Sequence, residues 1–215
     1  MTYLQLMNHV LRRMREDEVG SVDATIYSKM AGDFINDAMR IVQDSWDWAD
    51  LRQTKTVTTS DGSDLYPIPG ASTDMKLFHI IDDTNNCPLR QVDKAWFDRQ
   101  QYISGDVSGP PTHYIFTTPD SNGDIQIQLY PTPNGAYDLK VNGVFRTDEL
   151  TSNDDVVPVP WQPVMHFAIG LLARERGEVG GQSVAEYLAM ADRVLSDHIA
   201  RESAYYPEEM VFRTI

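Results

Sequence analysis

Two carboxylates and an imidazole share the stretch from Leu150 to Gly177, LTSNDDVVPVPWQPVMHFAIGLLARERG. Asp154 and Asp155 stand shortly before His166, the residue set a hydrolase or a metal site would draw on. Either chemistry needs partners at fixed reach, such as a second histidine or carboxylate four residues along the same helix face. Those positions hold Gln162 and Gly170, so the helix carrying His166 supplies no ligand pair. The mechanical reading is stronger. TSNDD reads as a solvated acidic loop, Pro158 and Pro160 stiffen the approach to Trp161, and proline at a helix start costs little because the first amides lack intrahelical acceptors. On this reading the stretch is a joint between a β module and a helical one, with Phe167, Leu171 and Leu172 buried.

The remaining candidates are sparse. His198 falls on an apolar helix face, and His9, His79 and His113 are solitary. Cys87, the single cysteine, sits in the turn-like DDTNNCPL; an intrachain disulfide and a multi-cysteine metal site are excluded. No G-x-S-x-G elbow occurs, and GEVGG from Gly177 to Gly181 lacks the Lys-Ser/Thr of a phosphate loop. Trp96, Phe97, Tyr114 and Phe116 suggest a base-stacking platform, yet basic residues are not interleaved with them, and core packing is the better reading. No metal and no cofactor is expected.

The net charge is −14 over 215 residues. Duplex DNA carries one negative charge per ~1.7 Å, so a general DNA gripper should be basic. A wall that merely surrounds DNA is not excluded, since repulsion lets a polyanion slide. No apolar run approaches the ~18 residues of a membrane span, and MTYLQLMNHVLRRMRE lacks the order of a signal peptide; an intracellular origin is expected.

The periodicity predicts four zones. Residues 1–52 are helical, with Leu4, Met7, Leu11 and Met14 on one face and a second helix capped at Asp23 carrying Ile26, Met30, Phe34, Ala38, Ile41, Val42 and Ser45. Residues 53–147 form an antiparallel β module: TKTVTTSDGSDLYPIP reads as a hairpin, MKLFHIID and CPLRQV flank a turn at Asn85-Asn86, AWFDRQQYI is a short helix or turn, and THYIFTT, DIQIQLYP and AYDLKVNGVFR are three antiparallel strands. Residues 148–204 return to helices, the last one presenting Val184, Tyr187, Leu188, Ala191, Val194, Leu195, His198 and Ile199. Residues 205–215 are an extended arm. The fold class is therefore α+β: terminal helices forming one bundle, with an inserted antiparallel β-sandwich or small barrel. Tyr205, Tyr206, Pro207, Met210, Val211, Phe212 and Ile215 make the arm apolar where polar composition is usual. Such a segment either folds back on its own domain or docks on another protein through pocketed side chains and backbone pairing.

The order FINDAMRIVQDSWDWADLRQT, DLYPIP, GPPTHYIFTTPDSNGDIQIQLYPTPNGAYDLKVNGVFR, LTSNDDVVPVPWQPVMHFAIGLLARERGE and AEYLAMADRVLSDHIARESAYYPEEM resembles the head-to-tail adaptor proteins of tailed bacteriophages, in particular the tail-tubular-protein-A-like adaptors of short-tailed phages. The resemblance covers nearly the whole chain, and its most specific parts are the Tyr-Pro-x-Pro turn of LYPTPNGAYDL and the junction from Leu150 to Ala173. It implies a non-enzymatic neck component of the virion, assembled in the bacterial cytoplasm as a homo-oligomeric ring, usually of twelve copies, between the portal protein and the tail nozzle or tail-tubular proteins, with tail fibres as further neighbours. DNA passes through the lumen without sequence-specific binding, and no membrane is involved. It also implies portal anchoring by residues 205–215, a carry-over by position and composition. Two other classes stand beside it: a different virion component, such as a tail-tube or head-completion protein, and a hydrolase using Asp154, Asp155 and His166. A carbohydrate-binding β module would require exposed aromatics on the strands.

Overall fold

The computed structural model describes residues 1–72, 74–103, 105, 107–177 and 182–204. The chain divides into two compact units: Leu51–Arg146, and Met1–Asp50 together with the described residues from Thr147 onward. The helices are α1 (Tyr3–Arg13), α2 (Ile26–Ser45), α3 (Lys94–Ile103), α4 (Trp161–Glu175) and α5 (Gln182–Ser203), with α3 in the strand-bearing unit. The strands are β1 (Arg52–Thr58), β2 (Leu65–Pro67), β3 (Lys76–Asp82), β4 (Cys87–Gln91), β5 (His113–Thr117), β6 (Gln126–Tyr130) and β7 (Asp138–Val144). The fold is α+β. The expected arm, residues 205–215, lies outside the described residues.

In the helical unit, α4 packs on α1, α2 and α5. Thr2 opens α1 with a capping box: its hydroxyl accepts the Gln5 amide while the Gln5 side chain accepts the Thr2 amide. The buried face is Tyr3, Leu6, Met7, Val10 and Leu11, continued by Met14; Leu4, expected on it, is half-buried. The cap of α2 is Thr25, not Asp23, because Thr25 is extended and its hydroxyl receives the Ser28 amide at 2.9 Å. The expected α2 face holds only in part: Ala38 and Val42 are buried, and Met30, Phe34 and Ser45 are half-buried. Ile26 is 90% exposed and Ile41 is exposed, while Ala31, Gly32, Ile35, Asn36, Met39 and Gln43 turn inward. Gly32 explains part of this: a Cβ there would lie 2.3 Å from the Tyr3 hydroxyl, so only glycine admits the ring. Burial, reinforced by Asp33 and Asp23, pushes the Tyr3 pKa up to about 12. Along α5, Ala191 and Leu195 are buried, but Tyr187 is exposed and the rest of the expected stripe is half-buried.

The strands form one seven-stranded sheet in the order β1-β7-β3-β4-β5-β6-β2. The β3–β4 hairpin occurs where Asn85-Asn86 places it, with Ile80 opposite Leu89. The buried Asp82 carboxylate closes its turn, accepting from the Thr84 and Asn85 amides and the Asn85 side chain. The β1–β2 hairpin does not form. β1 instead pairs with β7 through seven residues, from Arg52↔Val144 to Thr58↔Asp138, a longer ladder than three-residue β2 can offer; β2 pairs with β6. THYIFTT, DIQIQLYP and AYDLKVNGVFR supply β5, β6 and β7 with antiparallel pairings, β5 with β6, and β7 between β1 and β3. The sheet is not wholly antiparallel, however. β4 and β5 run parallel, Arg90 opposite His113, and α3 supplies the crossover that parallel neighbours need.

The two end strands of this order, β1 and β2, are joined by residues 59–64 only, a reach of at most ~25 Å. Val57 of β1 and Tyr66 of β2 enter the same core as Ile80, Leu89, Tyr114, Ile127, Leu129 and Leu139. One sheet curled around one core gives a barrel-like module. The alternation in β6 is as expected, Ile127 and Leu129 buried between half-buried glutamines; Ile125 is half-buried.

In the sheet, Gly143 lies against the backbone of β3. A Cβ there would lie 2.7 Å from the Lys76 carbonyl oxygen, beside the register shift between Leu77 and His79. Because the obstacle is backbone, it cannot rotate aside. Gly143→Ala is expected to cost about 2 kcal/mol, lowering Tm by about 5 °C; an unchanged thermal melt would mean that β3 yields at the bulge.

Candidate functional site

The carboxylates and imidazole of the 150–177 stretch do not assemble into a reactive centre. Asp155 is spent on its own loop, its carboxylate accepting the Thr151 and Ser152 amides at 2.7 Å each. The Ser152 and Thr151 amides hold its pKa below the usual carboxylate value. Asp154 is exposed. His166 is half-buried on α4, and burial, with the positive charge of Arg13, lowers its pKa. Neither carboxylate is hydrogen-bonded to the imidazole. Among the described residues, no three His, Cys, Asp or Glu side chains are grouped to hold a metal.

The stretch is instead sewn into the helical unit. The Tyr3 amide donates to the Asp155 carbonyl at 2.8 Å, the Leu4 amide to Asn153 at 3.2 Å, and the Val157 amide to Met1 at 3.1 Å. The first two satisfy free amides at the start of α1, a need every helix has. Asn153 reaches the other way, its side-chain oxygen accepting the Val22 amide at 2.9 Å. Leu150, buried, exchanges both backbone groups with the amide of buried Asn36: its N–H donates to Oδ1 at 3.0 Å and its carbonyl accepts from Nδ2 at 3.1 Å. The Gln43 amide donates to the Thr147 hydroxyl at 2.7 Å. Thr151, Ser152 and Asp154 are exposed, as a solvated loop requires, but Asn153 and Asp155 tie TSNDD to α1. Thr147 and Leu150 before it bond α2, so that the segment clasps both helices. Asn36, Gln43 and Asn153 escaped the sequence reading. Their signal is faint: two polar residues, Asn36 and Gln43, stand on a helical stripe with Gly32, Ile35 and Met39.

Past the clasp, α4 begins after Pro160 and buries Val164, Met165, Phe167, Ala168, Ile169 and Leu172. Phe167 and Leu172 are buried as expected, whereas Leu171 is half-buried. Gly170 lets α5 approach, since a Cβ there would lie 2.8 Å from the Leu188 side chain. Two other histidines, His9 and His198, are packing groups. His9 lies against Trp161 with ring centroids 5.6 Å apart, and His198 Nε2 is 2.8 Å from Gln162 Oε1, joining α5 to α4. Arg176 sits over the Tyr27 ring at 4.5 Å and meets both Glu16 and the Met14 carbonyl at the end of α1.

In the β unit, Phe97 and Tyr114 are buried and Phe116 is half-buried, so they form no open platform; Trp96 borders an open cleft. Cys87 is a free, half-buried thiol. No helix among the described residues is long and apolar enough to cross a membrane. The residues expected to bind a partner, Tyr205, Tyr206, Pro207, Met210, Val211, Phe212 and Ile215, lie outside the described residues.

Comparison with known proteins adds one finding. The family model described as SU10 adaptor protein matches residues 1–210, through both units. No curated protein matches the chain.

Proposed function

The chain belongs to the SU10 adaptor protein family, a phage head–tail adaptor family, and we propose that it is the ring-forming neck adaptor that joins the portal to the tail. The observation that carries this reading is the extent of the family match, residues 1–210 of 215. A phage structural adaptor works among other virion components, so its work is contact. Copies of the chain form a closed ring, with twelve as the expected number, and DNA crosses the lumen during ejection. A net charge of −14 suits that role, because an acidic wall repels a polyanion and does not stall it. Residues 205–215 anchor on the portal, and tail nozzle or tail-tubular proteins bind on the opposite side, with tail fibres as further neighbours. Assembly takes place in the host cytoplasm, and the mature location is the virion neck.

Sedimentation velocity of the chain mixed with intact portal rings of the same virus tests this. A boundary moving faster than the portal ring alone, and containing both proteins, is the expected result. Co-migration with tail-tube rings in its place would make the chain a tail-tube or head-completion component.

A further inference from the structure

The basic residues that the sequence does not interleave with Trp96 are brought to it by the fold. Arg90 comes from β4, Trp96 and Arg99 from one face of α3, and His113 from the first position of β5; together with Asp93 they wall an open cleft of about 470 Å³. The parallel register Arg90↔His113, with the Arg90 amide donating to the Thr112 carbonyl at 2.9 Å, fixes one wall. Asp93 fixes the other by accepting the Trp96 amide at 2.7 Å in the first turn of α3. Trp96 stacks on His113 with centroids 4.5 Å apart and takes the edge of Tyr130 at 5.7 Å. The indole is thus held in one pose by rings on two sides.

Charge in the cleft runs against the rest of the molecule. Arg90 and Arg99 are exposed, and neither forms an ion pair with a described residue. Lys94, next along α3, is already paired with Asp98 at 2.9 Å. Burial and the neighbouring Arg90 lower the His113 pKa, so the imidazole stacks as a neutral ring near pH 7. Two free guanidiniums beside an aromatic floor, in a chain of net charge −14, form a local site for an anion with an apolar neighbour.

We propose that the cleft between β4, β5 and α3 docks an acidic polypeptide segment, Arg90 and Arg99 taking its carboxylates and Trp96 covering an adjoining apolar side chain. Arginine suits the task because its planar fork meets a carboxylate through two parallel hydrogen bonds. The cleft falls in the size range of binding pockets, roughly 300–1,000 Å³, enough for a few side chains. DNA is the poorer occupant: two cations neutralise about two phosphates, against about six to ten in proteins that hold duplex by its backbone. The inference goes beyond the adaptor role and needs no portal for its test.

The test is fluorescence anisotropy of a fluorescein-labelled peptide of alternating glutamate and phenylalanine, titrated with the full chain and with Arg90→Gln/Arg99→Gln. The parent is expected to bind it, the double variant at least tenfold more weakly, and the glutamine version of the peptide not to bind. In parallel, peptide-induced NMR shifts in the parent chain should centre on Arg90, Trp96, Arg99 and His113, a readout that does not depend on how the variant folds. Equal binding by both proteins, no binding by the parent, or shifts centred elsewhere would overturn the proposal. Displacement by single-stranded oligothymidylate at lower concentration than by unlabelled acidic peptide would overturn it in favour of nucleic acid.

Discussion

A chain ending at Ala204 is expected to unfold at the same urea concentration as the full chain and to lose attachment to portal rings altogether. The removed segment carries Tyr205, Tyr206, Met210, Val211, Phe212 and Ile215, six large apolar side chains within eleven residues. Burying one such side chain is worth about 1.5–3 kcal/mol. Three of them seated on a partner would therefore supply about 5–9 kcal/mol before ordering costs, a large part of a micromolar contact of about 8 kcal/mol. Losing that much shifts an association constant by more than about a thousandfold, which sedimentation at micromolar concentration reads as no complex. Two outcomes count against the anchor. A truncated chain that joins portal rings normally would remove these residues from the contact, and one with a much lower urea midpoint would assign them to the chain's own core.

The largest expected loss of stability is at Asn36. Asn36→Ala is expected to cost about 3 kcal/mol, lowering the urea midpoint by about 1 M or more. The side-chain amide is buried and both its ends bond the backbone of Leu150, itself buried. Truncation leaves a donor and an acceptor without partners, each carrying a desolvation penalty of about 1–3 kcal/mol. Asn36→Asp keeps the acceptor for the Leu150 amide but sets a carboxylate against the Leu150 carbonyl. It should destabilise at neutral pH and recover on acidification, because the protonated form regains a donor. A loss below about 1 kcal/mol in Asn36→Ala would mean that water or a shifted loop replaces the amide, and that the clasp from Thr147 to Val157 is not fixed through α2.

What the sequence disclosed and what it hid follow from the same physics. The β3–β4 hairpin was legible because Asn85-Asn86 turns locally and the strands on each side meet at once. The β6 alternation was legible because Ile127 and Leu129 face one core. The β1–β2 hairpin was misread because a local turn signal says nothing of a competing ladder: β7 offers β1 seven partners and β2 offers three. On α2, hydrophobicity pointed to Ile26, Phe34 and Ile41, but the buried face was chosen by fit. Gly32 receives the Tyr3 hydroxyl, and Asn36 and Gln43 bond a loop over a hundred residues away. A polar residue whose partner is remote backbone has no periodic signature.

The same holds for the sites. The joint at Leu150 was preferred to a reactive centre on the absence of ligand spacing around His166, and Asp155 proves to be a turn former. The clasp itself was not foreseen, because its hydrogen bonds run to Met1, Tyr3 and Leu4 at the far end of the chain. Around Trp96 the sequence suggested a lack of basic partners. Arg90 and Arg99 are six and three residues away, and only the parallel crossover through α3 turns that spacing into one cleft.

Native mass spectrometry of the full chain mixed with the portal protein of the same virus tests the neck assignment most directly. The account predicts portal rings carrying a fixed number of copies of this chain, with no partly filled series at saturation. Intact portal rings that remain bare at every ratio would contradict it.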